Sequence, residues 1–316
     1  ARAASTRRSM TPRDSKALSF VPTLVSVQLP GRTFVRAAAF VAAAGFSAAG
    51  SMAAGQQGGL DWLAPEQAID EVSIPGRELP AEEFPDAKTV FENYIEAIGG
   101  REAVFSKQTR RFTGSFVYEV TSEDGTAARQ PGRVVSNAAA PDRYSQSVIL
   151  PGLLSEMTYF DGTHGWRQDD QGNLNVLEGE ELSRLRNSAQ FYQVADYENL
   201  FKRYEVTGGV EQADGTRLVR VDVEFPSGRD ESYVFDTETG LLTAVLSDRS
   251  IGNGQRVPLL RMYLDYAEFD GVKYPTRTTE RYANVSLLFN VSNVETGIEM
   301  PDFETPQEVL DGNSDD

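Results

Sequence analysis

After Phe105 the apolar residues of this chain recur at every second position, and this period restricts the possible folds more than any other feature. In RFTGSFVYEV, one face carries Phe112, Gly114, Phe116, Tyr118 and Val120, while the other face is polar. The same alternation recurs in LVRVDVEF, LLRMYLDYAEF and VSLLFNV, which begin at residues 218, 259 and 285. One apolar and one polar face per strand is typical of an antiparallel sheet.

Two segments have the helical period instead. Residues 85–98 place Val90, Phe91 and Ile95 on one face, with Pro85 in the first turn and Gly99-Gly100 as the stop. Residues 178–204 return to this spacing in the middle of the strands, and we expect them to form a lid. The order helix, about four strands, helices, about six strands predicts an α+β fold, a large antiparallel sheet with helices packed on one side.

The N-terminal part has the composition of a targeting segment. Residues 1–54 hold seven basic side chains and one acidic one, and a charge-free, Ala-rich run follows Arg36. This predicts an export signal over 1–54, cleaved near Ala53 or Ala54, with a retained anchor, an extended N-terminus or a second targeting segment as alternatives. Residues 55–84 are expected to be a linker with a short helix, and the acidic residues 301–316 a flexible tail.

The chain has few residues of the types that act as nucleophiles or metal ligands in enzymes. It has no cysteine and a single histidine, which excludes thiolate nucleophiles, zinc-thiolate sites and Cys/His pairs. Its net charge of −17 argues against nucleic acid as a partner. Asp161, Asp169 and Asp170 match no calcium loop, and we predict no catalytic residue, metal or cofactor.

The only histidine lies in YFDGTHGW, residues 159–166. The segments FDTETGL and FDGVKYP have the same sequence pattern as this stretch. Each copy is an aromatic residue, an Asp and a turn, and two copies lack the histidine. We therefore interpret His164 as an exposed turn residue and Trp166 as a residue packed on the sheet or facing a cavity. A carboxylate hydrolase around Asp161 and His164 stays a minor alternative.

The segments VFENYIEAIGGREAVF, VFDTETGLL and LDYAEFDGVKYPTR, in this order, resemble exported bacterial proteins related to the periplasmic lipoprotein localisation factors. The resemblance covers residues 85–300. It implies a sheet curled into an unclosed half-barrel, with helices over its concave side and an apolar cavity between them. The outer-membrane receptor of that family carries a lipid on cysteine, so a soluble carrier is the nearer comparison. No binding residue is carried over.

From these observations we expect a monomeric, exported, most simply periplasmic, non-enzymatic carrier for a lipid acyl chain or a lipoprotein. An acyl chain needs only a dry surface, because each buried methylene contributes about 0.8 kcal/mol. The alternative is a structural or assembly subunit of a cell-envelope complex. The residues expected to line the apolar cavity are Phe112, Phe116, Tyr118, Trp166, Tyr233 and Phe235.

Overall fold

In the computed structural model, the described residues are 74–122, 124–251 and 255–312, with two short segments further towards the N-terminus. These segments, β1 (Gln28–Leu29) and β2 (Arg32–Thr33), pair antiparallel. The rest of the expected export signal and the helix expected within residues 55–73 lie outside the described residues. No helix in the described part is long and apolar enough to cross a membrane.

The main sheet has fourteen strands, all paired antiparallel, within the described part of the chain. They are β3 (Arg77–Leu79), β4 (Thr109–Thr121), β5 (Ala127–Ala139), β6 (Arg143–Leu150), β7 (Leu154–Phe160), β8 (Gly165–Asp169), β9 (Leu174–Leu177), β10 (Arg203–Glu211), β11 (Arg217–Glu224), β12 (Asp230–Asp236), β13 (Leu242–Ile251), β14 (Gln255–Phe269), β15 (Val272–Tyr282) and β16 (Val285–Thr296).

The strand order is β3-β10-β11-β12-β13-β14-β15-β16-β4-β5-β6-β7-β8-β9, so that β3 and β9 are free edges and the sheet is not closed into a barrel. The α+β half-barrel expected from the sequence is confirmed. There are more strands than expected, and residues 77–79 of the expected linker form the edge strand β3.

Five helices accompany the sheet in the described residues: α1 (Ala87–Ala97), α2 (Arg101–Ser106), α3 (Gly179–Ala189), α4 (Tyr197–Leu200) and α5 (Gln307–Gly312). Two 3₁₀ turns lie at Ala81–Glu83 and Gln193–Asp196. Helix α1 begins after Asp86, whose carboxylate accepts a 3.0 Å hydrogen bond from the backbone N–H of Thr89. Pro85 thus precedes the cap instead of lying in the first turn.

Three of the sequence motifs converge on the C-terminal half of α1. A Cβ on Gly99, which has φ of +130°, would lie 2.3 Å from the carbonyl oxygen of Gly271. A Cβ on Gly240 would lie 2.9 Å from the carbonyl oxygen of Asn93. The backbone N–H of Lys273 also donates to the carbonyl of Ile98 at 2.7 Å. The helix stop and two hairpin turns are therefore one packing unit, because only glycine permits these close approaches.

The concave face of the sheet is the one that the helices cover, but the opposite face is also apolar over β10–β14. A cluster there contains Val210, Leu218, Val234, Ala244, Leu260 and Met262, all buried. In β14 the sequence pattern assigned Leu260 and Met262 to the buried face and Arg261 to the solvent. The structure differs, because both faces of β14 are covered and Arg261 points into the interior.

Residues 301–312 pack against the sheet, whereas the sequence predicted a flexible tail. Phe303 lies 5.2 Å from the ring of Tyr159 and 5.8 Å from that of Trp166, and Arg143 lies over its other side at 4.7 Å. Val309 in α5 is fully buried. Two apolar side chains thus hold this acidic segment in place, because their burial offsets its cost in chain entropy.

Candidate functional site

An interior cavity of about 150 Å³ lies between the concave face of the sheet and the helices. Helix α1 contributes Tyr94, and the segment from α3 to α4 contributes Asn187, Phe191 and Leu200. Strands β4 and β12–β15 form the floor. Residues 178–204, the segment expected to act as a lid, therefore do cover a cavity.

Aromatic side chains fill the concave face next to this cavity. Phe91 of α1 is fully buried, and its ring centroid lies 4.6 Å from that of Tyr197, 5.5 Å from Tyr204 and 5.7 Å from Phe235. Tyr197 also donates a 2.8 Å hydrogen bond to Glu92. This end of the half-barrel is a packed core and not open space.

Of the six residues expected to line the cavity, Phe112 and Tyr233 do so. Phe116, Tyr118 and Phe235 point to the same face but lie in its packed core. The ring of Phe116, for example, lies 5.6 Å from that of Phe289 and fills the space where Gly132 has no side chain.

Trp166 packs on the sheet and does not line this cavity. Its neighbour Gly165 faces α3, since a Cβ there would lie 2.8 Å from the side chain of Leu185. Successive strand residues point to opposite faces, so Trp166 points away from α3. It stacks on Tyr159 at 5.2 Å beneath Phe303.

The sequence pattern missed the charged residues of the interior. Arg261 donates to the carboxylate of Glu280 from Nε at 2.8 Å and from Nη2 at 2.5 Å, and Glu280 is only 1% exposed. Burial alone would lower the pKa of Arg261, but Glu280 raises it above its usual value. Arg229 pairs with Glu231 at 2.7 Å in the same cavity.

Helix α3 crosses the mouth of the half-barrel. On one side it packs against β7 and β8, and Leu185 and Ala189 join the buried cluster around Phe160. On the other side Arg184 donates a 2.9 Å hydrogen bond to the carbonyl oxygen of Asp248 in β13. Asp248 is far from β7 in the strand order, so this contact latches the helix across the cavity.

The Asp161–His164 pair forms a turn that holds the C-terminal segment. Oδ1 of Asp161 accepts the backbone N–H groups of Thr163 and His164, both at 2.7 Å. Oδ2 accepts the hydroxyl of Thr305 at 2.6 Å and lies 3.0 Å from Nδ1 of His164. The carboxylate is thus saturated by structural donors, which supports the interpretation of His164 as a turn residue. Its side chain is half-buried, however, and not exposed as the sequence predicted. No metal-binding group of three or more acidic or histidine residues occurs in the described part of the chain.

We expect acid to release the C-terminal segment from this turn. Burial would raise the pKa of Asp161, but the hydrogen bonds of Thr305, His164 and Thr163 outweigh it and lower the pKa from 3.8 to about 2. A lowered pKa stabilises the folded form above pH 3.8, and this contribution is lost as the pH falls through about 2. Emission from Trp166, in a Trp62→Phe background, should therefore shift to the red over this range.

A matched pair of variants tests the assignment. Asp236 caps an equivalent turn by accepting the N–H groups of Glu238 and Thr239, at 2.8 and 2.9 Å. Asp161→Asn should remove the acid transition of Trp166, whereas Asp236→Asn should keep it. An unchanged transition in Asp161→Asn would show that another group controls the docking of Phe303.

The chain is similar to several solved structures, with a sequence identity of about 10% or less. No protein-family model and no curated protein sequence matches the chain. A DUF1329 family protein from Desulfovibrio piger has a TM-score of 0.47 and 10% identity, over 68% of this chain and 95% of that one. A LolA superfamily protein from Nitrosomonas europaea has a TM-score of 0.47 and 10% identity, over 69% and 96%. An outer membrane lipoprotein-sorting protein domain from Vibrio parahaemolyticus has a TM-score of 0.45 and 8% identity, over 67% of this chain and 95% of that one.

Proposed function

We propose that this protein is a non-enzymatic, exported carrier or binding protein for a lipid or a lipidated protein. The observation that carries the proposal is the interior cavity, roofed by helix α3, whose Arg184 contacts Asp248 on the far side of the sheet. The pattern of an export signal at the N-terminus supports a location outside the cytoplasm.

The volume of the cavity implies that the roof must move. About 150 Å³ is room for roughly ten water molecules and not for a whole acyl chain. A ligand of that length needs α3 to lift from β13, which exposes the cavity floor between β4 and β14. Arg184 is therefore the residue whose contacts oppose opening.

Arg184→Ala should favour the open form by about 1–2 kcal/mol, because a charged donor to Asp248 is lost. This difference raises the ratio of open to closed protein about five- to thirtyfold. The variant should take up a fluorescent fatty acid faster, and amide exchange in α3 should be faster by a similar factor. Arg186→Ala is the matched control, since Arg186 lies on the same helix and is exposed. Equal uptake rates in both variants would contradict the latch.

The proposed function is tested on the protein as it occurs in cells. The full chain is purified from the envelope fraction, and its organic extract is analysed by mass spectrometry. We expect a lipid in stoichiometric amount. Absence of any lipid, together with a stoichiometric protein partner and no uptake of the fatty acid, would support the assembly subunit instead.

A further inference from the structure

The interior cavity is basic although the protein is acidic. Six basic and two acidic side chains line it, whereas the whole chain has a net charge of −17. The basic residues are Arg110, Arg184, Arg229, Arg249, Arg261 and Lys273, and the acidic ones are Glu231 and Glu280. Lys273 is exposed, whereas the five arginines are buried or half-buried.

Ion pairs within the fold neutralise only part of this charge. Arg261 and Arg229 have Glu280 and Glu231, and Arg184 pairs with Glu180 on its own helix. Arg110 and Arg249 form no ion pair with any carboxylate of the described residues.

Arg110 lies in an aromatic enclosure at one part of the cavity. Its guanidinium carbon lies 4.4 Å from the ring centre of Phe191 and 5.2 Å from that of Phe112. Its Nε is buried and has no hydrogen-bond partner. Burial lowers the pKa of Arg110, and the phenol of Tyr274 opposes this only in part.

Arg249 has a similar environment in β13. It is only 5% exposed, and its guanidinium carbon lies 4.4 Å from the ring centre of Tyr282. Its Nη1 is buried and has no hydrogen-bond partner. Aromatic ring faces stabilise both cations but do not supply a counter-ion.

A buried cation without a counter-ion costs free energy, because desolvation is not compensated. Two such cations in one cavity, beside the tyrosines Tyr94, Tyr263 and Tyr274, give an excess of hydrogen-bond donors over acceptors. A ligand that brings a negatively charged oxygen acceptor would supply either group with its missing partner.

We propose that the cavity binds amphiphiles with an anionic head group, a carboxylate or a phosphate, and that Arg110 and Arg249 are two separate charge partners for such head groups. This inference rests on the proposed function and names the chemistry of its ligand. The apolar chain of the ligand would contact Phe112, Phe191 and Leu259, which line the same space.

Calorimetric titration of the delipidated full chain tests the inference with three probes: dodecanoate, dodecanol and inorganic phosphate. We expect dodecanoate to bind at least about tenfold more tightly than dodecanol, which has the same chain and no charge. Arg110→Gln and Arg249→Gln should each weaken dodecanoate binding about tenfold and leave dodecanol binding unchanged. Arg203→Gln is the control, because Arg203 is exposed and outside the cavity.

The outcomes separate the inference from the proposed function. Equal binding of dodecanoate and dodecanol would overturn the inference and leave the carrier function standing. Phosphate binding that depends on both arginines, without binding of either chain, would support the anion site and contradict a lipid carrier. No binding of any probe would overturn both.

Thermal unfolding of the empty variants distinguishes binding from a structural role. Removal of an unpaired buried charge should leave the melting temperature unchanged or raise it. A lower melting temperature together with an equal loss of dodecanoate and dodecanol binding would assign both arginines to the core and contradict the inference.

Discussion

Replacing Glu280 by alanine is expected to lower the free energy of unfolding by about 3–5 kcal/mol, because it leaves Arg261 buried without a counter-ion. Glu280 is 1% exposed, and its carboxylate accepts both hydrogen bonds described above from Arg261. Urea unfolding followed by circular dichroism measures the change.

Two further variants isolate the origin of this loss. Adding Arg261→Met to Glu280→Leu removes both charges and should recover most of the stability, since an apolar pair of similar volume has no desolvation cost. Glu295→Ala breaks the more exposed pair with Arg111, at 3.9 Å, and should cost less than about 1 kcal/mol. A double variant as unstable as Glu280→Ala would mean that lost packing, not the unpaired charge, is responsible.

Phe91→Ala is expected to lower the free energy of unfolding by a similar amount, about 3–5 kcal/mol, because it leaves a cavity at the centre of the aromatic cluster. Its ring contacts Tyr197 of α4, Phe201 directly after that helix and Phe235 of β12. Loss of this ring should loosen α1 from the sheet as well as destabilise the fold, and amide exchange in residues 87–97 should report it.

Phe91→Leu is the matched control. It keeps most of the apolar volume and should cost clearly less than the alanine variant, about 1–2 kcal/mol. If both variants lose the same amount, the stacking of aromatic rings contributes more than the filling of space, and the expectation from cavity volume is wrong.

The fold was largely predictable because its signals are local. Alternation in β4, β11 and β16 and the apolar stripe of α1 follow from the period of side-chain directions alone. The edge strand β3 has three residues and no alternation to detect, so the sequence assigned it to a linker. The docking of residues 301–312 depends on Phe303 reaching Trp166, a contact that no local pattern contains.

The site was much less predictable, and the reason is physical. A polar residue in an alternating strand is normally assigned to the solvent side, but in β14 Arg261 and Tyr263 point inwards, since the sheet is apolar on its outer face too. Aromatic residues were easier to place: Phe112 and Tyr233 reach the cavity. The curvature of the sheet decides which of the other rings lie in the packed core. Many strands together determine this curvature, so no single strand pattern predicts it.

The three related turns also differ in a way that sequence alone did not show. Asp161 and Asp236 cap their turns in the same manner. Asp270 instead has φ of +50° and is followed by Gly271 with φ of +78°, which is a two-residue hairpin of type I′. Its carboxylate is free to accept hydrogen bonds from Lys107 and Thr296, at 2.8 and 2.5 Å.

The pairing of β4 with β16 has a consequence for how the chain reaches its native state. Strands β4–β9 and strands β10–β16 each form a meander of neighbouring hairpins, and the long pairing of β4 with β16 joins the two. Residue 110 pairs with residue 296, so this pairing requires the chain to be present at least as far as residue 296. Contacts so distant in sequence form slowly, because the loop between them must be closed first. Until this pairing forms, the apolar faces of the two meanders lack part of their cover, so slow pairing is expected to raise the risk of aggregation.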